Sequence, residues 1–425
     1  MALLALLAMG IPVAVTMGVV GISGMVLVGG PNFALAQVQT LPFAVTANYG
    51  YAVLPLFVLM GTLAASAGIT IELFDAAYKW LCRFRGGLYL ATIAGSAGFA
   101  AASGSTVVNA VVFTRMALPE MLKYGYSRSL SAGCIAAAGT FAAMIPPSIT
   151  MVIYAIITEQ SVGMLMIAGV IPGILSALIY AAGVVVLVHV RPRLAPIAAA
   201  RVPLVERFRA LKGVWGIIAL VALVLGGIYT GIFPPSAAGA TGAFGTFVIA
   251  LLRRRLGGGG LRRAIEDSAA VSCVIFTILV GGLLFSRLLV VTGIITRFVD
   301  AISAWAVSPV IVLLLFSLMY IVLGAFIDTT SMMIITLPFV FPVISHFQID
   351  PIWFGIILVK LIEISAVSPP VGLNLYAVLS GAGGQIGSAE LFRGVVPFLV
   401  MDVLTLGLLI AYPEISLWLP RAMLR

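Results

Sequence analysis

Two short polar clusters interrupt apolar stretches of this chain, and both carry oxygen atoms that could bind a cation. The first is Ser103-Gly104-Ser105-Thr106 and the second is Asp328-Thr329-Thr330-Ser331. Hydroxyl groups, a carboxylate and backbone carbonyls are the ligands that hard cations such as Na⁺ prefer. A carboxylate within apolar sequence is unfavourable unless a cation, a set of donors or a proton offsets it, so Asp328 indicates an ion site. A neutral Asp328, or one that pairs with a basic residue, is the alternative.

A pair of adjacent prolines follows each cluster at the same distance. Pro146-Pro147 and Pro369-Pro370 are separated by 223 residues, the same offset that superposes Ser105 on Asp328. Each pair removes two amide donors and clashes with the preceding helical turn. The carbonyls left without helical partners are predicted to be those of Ala143, Met144, Ala366 and Val367. Broken apolar segments at matching places in two halves are typical of a secondary transporter's binding site; kinks that only aid helix packing are the alternative.

Composition places the chain in a lipid bilayer. With 62% hydrophobic and 9% charged residues it cannot cover a water-soluble globule with a polar surface. The net charge of +9 comes from short basic loops beside apolar segments, as the positive-inside rule predicts, and does not indicate nucleic-acid binding. Three widely spaced cysteines without a CxxC predict neither disulfides nor a metal site. The stretch 1–10 is predicted to be a first membrane helix rather than a cleaved signal.

The distribution of basic residues predicts how the broken segments are arranged. Basic residues flank the stretch 88–113 on both sides, which predicts a re-entrant hairpin that opens to the cytoplasm. The stretch 309–345 lacks such flanks and predicts a second hairpin that opens to the outside. The two polar clusters are the turns of these hairpins, and we call residues 103–106 the first tip and residues 328–331 the second tip. The Pro pairs lie in broken membrane helices at 131–157 and 352–380.

These features predict an all-α polytopic membrane protein built as an inverted repeat. The first repeat spans residues 1–190 and the second spans 231–425. Between them, 191–230 is predicted to form a cytoplasmic loop and a linking helix that begins at about 214. This extra helix reverses the orientation of the second repeat in the membrane. Inverted-topology repeats of this kind are one common way in which secondary transporters are built.

Five motifs, three of which include part of the first cluster or a Pro pair, make the chain resemble one family. They are Pro55-Leu56-Phe57-Val58-Leu59-Met60-Gly61, Gly104-Ser105-Thr106, Met144-Ile145-Pro146-Pro147-Ser148, Tyr229-Thr230-Gly231-Ile232-Phe233-Pro234 and Ser368-Pro369-Pro370-Val371-Gly372-Leu373-Asn374-Leu375. Over nearly its whole length the chain resembles the large membrane subunit of TRAP transporters, the tripartite ATP-independent periplasmic carriers. Where many relatives have a Thr-Pro-Thr-Glu run after Gly-Ile-Phe, this chain has Pro234-Pro235-Ser236-Ala237.

The resemblance implies Na⁺-coupled uptake of an organic acid, such as a C4-dicarboxylate or sialic acid, across the bacterial inner membrane. It further implies an elevator movement of the hairpin-bearing domain, a separate small four-helix membrane subunit and a periplasmic substrate-binding protein. Na⁺ would be the coupling ion, and no cofactor is implied. Both tips fall on the family's ion-site positions.

The predicted sites comprise two sets of residues. The Na⁺ site is predicted to include Ser103, Gly104, Ser105, Thr106, Met144, Pro146, Asp328, Thr329, Ser331, Ala366 and Ser368. The substrate site is predicted to include Asn109, Pro147, Ser148, Pro370, Gly372 and Asn374. Asn109 and Asn374 could donate to a substrate carboxylate or cap broken helices.

Three other charged residues stand within apolar sequence. Lys360 and Glu363 are three residues apart on one predicted helix and are expected to neutralise each other, with a proton relay as the alternative. Asp402 is expected to make an interhelical contact. A stand-alone Na⁺- or H⁺-coupled carboxylate carrier is a second hypothesis for function. An intramembrane hydrolase using Ser105, or Asp328 with Asp402, is a third, although no intramembrane His or GxGD pattern supplies its base.

Overall fold

The computed structural model describes residues 2–196, 202–255, 258–304, 308–325 and 327–423. Regular structure in these ranges is helical. The helices up to the linking segment are α1 (Ala2–Ala8), α2 (Val13–Gly29), α3 (Pro31–Thr46), α4 (Val53–Ser66), α5 (Ile69–Leu81), α6 (Gly87–Ser103), α7 (Thr106–Lys123), α8 (Arg128–Gly139), α9 (Phe141–Met144), α10 (Ile149–Ile157) and α11 (Val162–Val190). Short 3₁₀ turns lie at Tyr49–Ala52 and Pro192–Leu194.

The remaining helices begin with the linking helix. They are α12 (Leu204–Tyr229), α13 (Pro235–Leu252), α14 (Gly258–Val291), α15 (Ile294–Ser303), α16 (Pro309–Gly324), α17 (Thr329–His346), α18 (Pro351–Ala366), α19 (Leu373–Gly381), α20 (Ser388–Ala411) and α21 (Glu414–Met423). Within the described residues, seven helical segments are long and apolar enough to cross a membrane, or eight when the bent pair around Pro146-Pro147 counts as one span. The chain is therefore a multi-pass helical membrane protein.

Both Pro pairs break their segments where the sequence predicts. The first segment is divided into α8, α9 and α10, with a bend of 44° between its two main parts. The second ends α18 at Ala366 and resumes as α19 at Leu373. The predicted stretch 309–345 corresponds closely to α16 and α17, which pack against each other on either side of the second tip.

Three predicted boundaries are wrong for one shared reason. Helix α7 continues beyond residue 113 to Lys123, α12 begins at Leu204 rather than at about 214, and α14 begins at Gly258 rather than at 268, where its apolar stretch predicts the start of the span. The sequence boundaries follow the ends of the apolar stretches. Arg, Lys and Glu are good helix formers, however, so a helix continues out of its apolar part into polar sequence; in α14 this applies from Leu261 onward.

The interrupted helices form the centre of the molecule. Residues 354–366 of α18 and 130–139 of α8 are buried throughout. Helix α8 crosses α20 closely, because Gly133 and Gly394 each lie where an added Cβ would overlap the other helix's backbone. The outer helices instead expose apolar side chains, as a lipid-facing surface requires. Examples are Leu27, Leu178, Ile218, Phe244 and Leu252.

The basic loops contact one another on one face of the molecule. Arg253 forms an ion pair with Glu72, and the Trp80 indole donates to the carbonyl of Arg207 at 3.2 Å. The carbonyl of Leu194 accepts from both the Tyr89 hydroxyl and the Ser127 amide at 3.0 Å. These loops therefore share one side, as a single cytoplasmic face requires.

Candidate functional site

The first tip is a tight turn between α6 and α7. Gly104 has φ +59°, a left-handed conformation that glycine adopts without steric cost. Ser105 then caps α7, because its hydroxyl accepts from the Val108 amide at 3.5 Å. The Ser103 side chain is buried, and its hydroxyl has no hydrogen-bond partner.

Close packing holds this tip against its neighbours. A Cβ at Gly104 would lie 3.1 Å from the carbonyl oxygen of Pro147, so the turn touches the first Pro break. On the other side, Gly61 of α4 lies so close to Ser103 that a Cβ would overlap the serine carbonyl. The glycine at each position permits this approach.

The second tip shares the helix cap of the first, with a carboxylate in place of the serine hydroxyl. Asp328 caps α17, since its Oδ2 accepts from the Ser331 amide at 3.0 Å. The Ser331 hydroxyl is fully buried and has no partner. At the end of α16, Gly324 lies against Ser365 of α18, just before the second Pro break. The first tip therefore touches the broken segment of its own half, and the helix that leads into the second tip packs against the other broken segment.

Both tips also line one cavity of about 380 Å³. Asp328 is the only ionisable residue among its described lining residues. The remaining polar side chains of the lining are hydroxyls, those of Ser105, Thr106, Thr150, Thr329 and Thr330. Helix α14 supplies an apolar wall through Ala270, Val271, Val274, Ile275 and Ile278. One carboxylate and five hydroxyls, contributed by both halves of the chain, thus line the same cavity.

Asp328 lies between two cavities. With Ser331 it also lines a space of about 610 Å³ bordered by residues 10–15 and by α14. The second tip thus borders both spaces, whereas the first tip borders only the 380 Å³ cavity among the described pockets.

The predicted Na⁺-site residues divide into two groups in the structure. Gly104, Ser105, Thr106, Asp328 and Thr329 line the shared cavity, and Ser331 lines the larger one. The others are buried beside the breaks, namely Ser103, Met144, Pro146, Ala366 and Ser368. The Ser368 hydroxyl already donates to the carbonyl of Ile364 at 2.8 Å.

One predicted free carbonyl is wrong. The carbonyl of Ala143 accepts from the Ser148 hydroxyl at 2.6 Å, because that serine reaches back across the Pro pair. The same hydroxyl caps α10 by accepting from the Met151 amide at 3.3 Å. Ser148 is fully buried, its hydroxyl makes both of these hydrogen bonds within the protein, and it does not line the shared cavity.

The two predicted asparagines bond within the protein core and stand away from the cavity. Asn109 Nδ2 donates to the Ser96 carbonyl at 3.2 Å, and its Oδ1 lies 3.0 Å from the Ser96 hydroxyl. Asn374 Nδ2 donates to the carbonyl of Ala136 at 3.1 Å, while its Oδ1 has no partner. Both are fully buried. Of the other predicted substrate residues, Pro147 and Gly372 are buried and Pro370 is exposed.

Two cavity hydroxyls are absent from the sequence-based set. Thr330 belongs to the second tip, and its place within that cluster could have suggested it. Thr150 lies on the first turn of α10, three residues after Pro147. The signal for Thr150 is weaker, because only the bend at the Pro pair turns this helix end toward the tips.

The hydrolase hypothesis lacks an assembled site. Asp328 caps α17 beside the cavity, whereas Asp402 is fully buried and bonded to Lys360 and Tyr180. The two carboxylates therefore serve different clusters.

Interrupted helices around a cavity that both tips line are typical of a secondary transporter. The fold agrees: the chain resembles the YdaH transporter of Alcanivorax borkumensis with a TM-score of 0.59 and 15% identity, over 89% of this chain and 88% of that one. The model of the family "Tripartite ATP-independent periplasmic transporter, DctM component" matches residues 1–415. The chain therefore belongs to the DctM family of TRAP transporter permeases, which are transport proteins and not enzymes.

Two curated relatives are similar over most of their length. The C4-dicarboxylate TRAP transporter large permease protein DctM of Pseudomonas aeruginosa is 33% identical, over 89% of this chain and 88% of the relative. The sialic acid TRAP transporter large permease protein SiaM of Vibrio cholerae is 28% identical, over 99% of this chain and 97% of the relative. The resemblance seen in the five sequence motifs is confirmed.

Proposed function

We propose that this chain carries an organic acid into the cell together with Na⁺, and that the acid is a C4-dicarboxylate or a sialic-acid-like carboxylate. The names of the two relatives support these substrate classes. The observation that carries the proposal is the shared cavity, in which the tips of both halves present four hydroxyls and the carboxylate of Asp328, and Thr150 of α10 adds a fifth hydroxyl.

The residues present are suited to Na⁺ as the co-transported ion. Asp328 supplies a negative charge, and hydroxyl and carbonyl oxygens complete the kind of ligand set that Na⁺ accepts. The buried hydroxyls of Ser103 and Ser331 lack partners, although most buried polar atoms in proteins have one. Binding of a cation at each tip would satisfy such groups.

We further propose the arrangement that the family implies. The chain works with a small four-helix membrane subunit and a periplasmic substrate-binding protein in the bacterial inner membrane. The domains at 1–190 and 231–425 are inverted repeats joined by 191–230, and the two hairpin-bearing parts move together as an elevator. Matching features support the repeat: Gly68 before α5 and Gly293 before α15 both adopt left-handed conformations.

Uptake by a reconstituted complex tests the proposed function. We expect labelled C4-dicarboxylate or sialic acid to enter proteoliposomes only when the chain, a small membrane subunit, the loaded binding protein and an inward Na⁺ gradient are all present. Replacing Na⁺ with K⁺ should abolish uptake. Equal uptake without Na⁺ would contradict the ion coupling, and full uptake by the purified chain alone would favour a stand-alone carrier.

Cysteine labelling tests the proposed topology. In a Cys273→Ser background, which removes an exposed thiol, Gly259→Cys should react with a membrane-impermeant reagent only from the cytoplasm. His346→Cys, at the exposed end of α17, should react only from the periplasm. Gly259 follows the basic loop that contacts Glu72, whereas His346 has no basic flank. Labelling of both positions from one side would contradict the inverted repeat.

A further inference from the structure

A cluster of ionisable side chains lies fully buried where α11, α18 and α20 meet, apart from the two tips. The Lys360 ammonium donates to Glu363 Oε2 at 2.8 Å, to Asp402 Oδ1 at 2.6 Å and to the Ser176 hydroxyl at 3.3 Å. The predicted pairing of Lys360 with Glu363 and the predicted interhelical contact of Asp402 are both confirmed. The cluster joins α11 of the first half to two helices of the second.

The two carboxyl groups have unequal surroundings. Both oxygens of Asp402 are bonded, because Oδ2 also accepts from the Tyr180 hydroxyl at 2.7 Å. Glu363 has one bonded oxygen, while its Oε1 is buried without a partner. A buried carboxylate oxygen that no donor offsets is strongly unfavourable.

The charges of the cluster do not balance when both acids are ionised. One ammonium and two carboxylates leave one net negative charge, and all three groups have no solvent exposure. In so apolar a place an uncompensated charge is removed by protonation rather than retained.

The helices packed against α18 bring no further buried positive charge among their described residues, because Arg393 of α20, Arg421 of α21 and His189 of α11 are all exposed. Tyr154 and Tyr320 are buried phenols that bond to the Pro351 carbonyl and to Thr336. Tyr376 and His346 are exposed, and Glu414 is exposed and pairs with Arg421. Cys134 of α8 is a buried thiol. The imbalance therefore has to be resolved within the cluster itself.

We propose that this cluster is a proton-binding site and that Glu363 holds the proton at neutral pH. Asp402, with two donors, is the ionised partner of Lys360. Glu363, which has one hydrogen-bond donor and one oxygen without a partner, is the neutral acid. An exposed glutamate, with a pKa of about 4.3, carries no proton at this pH. The core of the carrier thus binds a second kind of cation, distinct from the Na⁺ proposed at the tips, and the site ties the two halves together.

Infrared spectroscopy of the purified chain in lipid at pH 7 tests the assignment directly. The difference between wild type and Glu363→Gln should contain the carbonyl stretching band of a carboxylic acid, shifted in D₂O. Asp402→Asn should also lose the band, because Lys360 then balances an ionised Glu363 without a proton. Glu72→Gln is the matched control: Glu72 pairs with Arg253 and Arg255 and should contribute no such band.

A wild-type measurement removes the dependence on variants that fail to fold. Chain labelled with ¹³C-glutamate should show one shifted carboxylic-acid band at pH 7, since the other ionisable glutamates lie at exposed or partly exposed positions. Absence of a labelled band, persistence of the band in Asp402→Asn, or a band that forms only after Na⁺ is removed would each overturn the proposal. The readout is independent of uptake, so failure of the proposed transport function would leave this result unaffected.

Discussion

Asp328→Asn is expected to raise the Na⁺ concentration needed for half-maximal uptake by about tenfold or more, which corresponds to about 1.4 kcal/mol of binding free energy. The substitution removes the negative charge that attracts the cation. It preserves the cap of α17, because asparagine and aspartate are equally good N-cap residues. The chain should therefore fold and insert normally, so the loss appears in a Na⁺ titration of uptake rather than in yield.

Asp350→Asn provides the matched control. Asp350 caps α18 by accepting from the amides of Ile352 and Trp353 at 2.9 and 3.0 Å, and it does not line the shared cavity. The same chemical change should therefore leave the Na⁺ titration unchanged. If Asp328→Asn gives a wild-type titration curve in well-folded protein, Asp328 is not an ion ligand.

A substitution in the first tip should raise the Na⁺ requirement of uptake by a smaller factor. Ser105→Gly removes one neutral hydroxyl while keeping most of the capping preference at the start of α7. Because Ser105 and Asp328 line the same cavity, their effects distinguish one ion from two. Additive shifts in the double variant would indicate separate ions, whereas a smaller combined shift would indicate one ion held by both tips.

Much of the fold follows from local sequence. Pro pairs cannot continue a helix, so both breaks were predictable from sequence, and Gly104 marks a turn because it precedes a serine that can cap α7. The ends of α7, α12 and α14 were not predictable from hydrophobicity, since the membrane limits the apolar part of a helix and not its length.

The site was predictable in its parts but not in its assembly. The tips were recognisable because Asp328 and the hydroxyls are unusual in apolar sequence. Their convergence on one cavity, together with Thr150, depends on packing between residues far apart in the chain. The same packing turns Asn109 and Asn374 inward, where Ser96 and the Ala136 carbonyl become their partners. Residue type alone does not show whether a polar group faces a cavity or a neighbouring helix.

The close contact between the end of α16, which leads into the second tip, and α18 gives a stability prediction. A Cβ at Gly324 would overlap the Cβ of Ser365 and lie 2.6 Å from its hydroxyl oxygen. Because Cβ atoms move only with the backbone, Gly324→Ala must separate α16 from α18. We expect a loss of about 1–3 kcal/mol, the usual range for overpacking, seen as a lower melting temperature of the purified protein.

Removing the opposing atom should restore the contact. Ser365→Gly alone should destabilise the chain by up to about 1 kcal/mol, as glycine does in a helix. In the double variant with Gly324→Ala the new methyl group fills the vacated space, so the double variant should be more stable than Gly324→Ala. Gly407→Ala in α20, where nothing lies within 4 Å of the added Cβ, should leave the melting temperature unchanged or raise it. A wild-type melting temperature for Gly324→Ala would show that α16 is not held against α18 at this point.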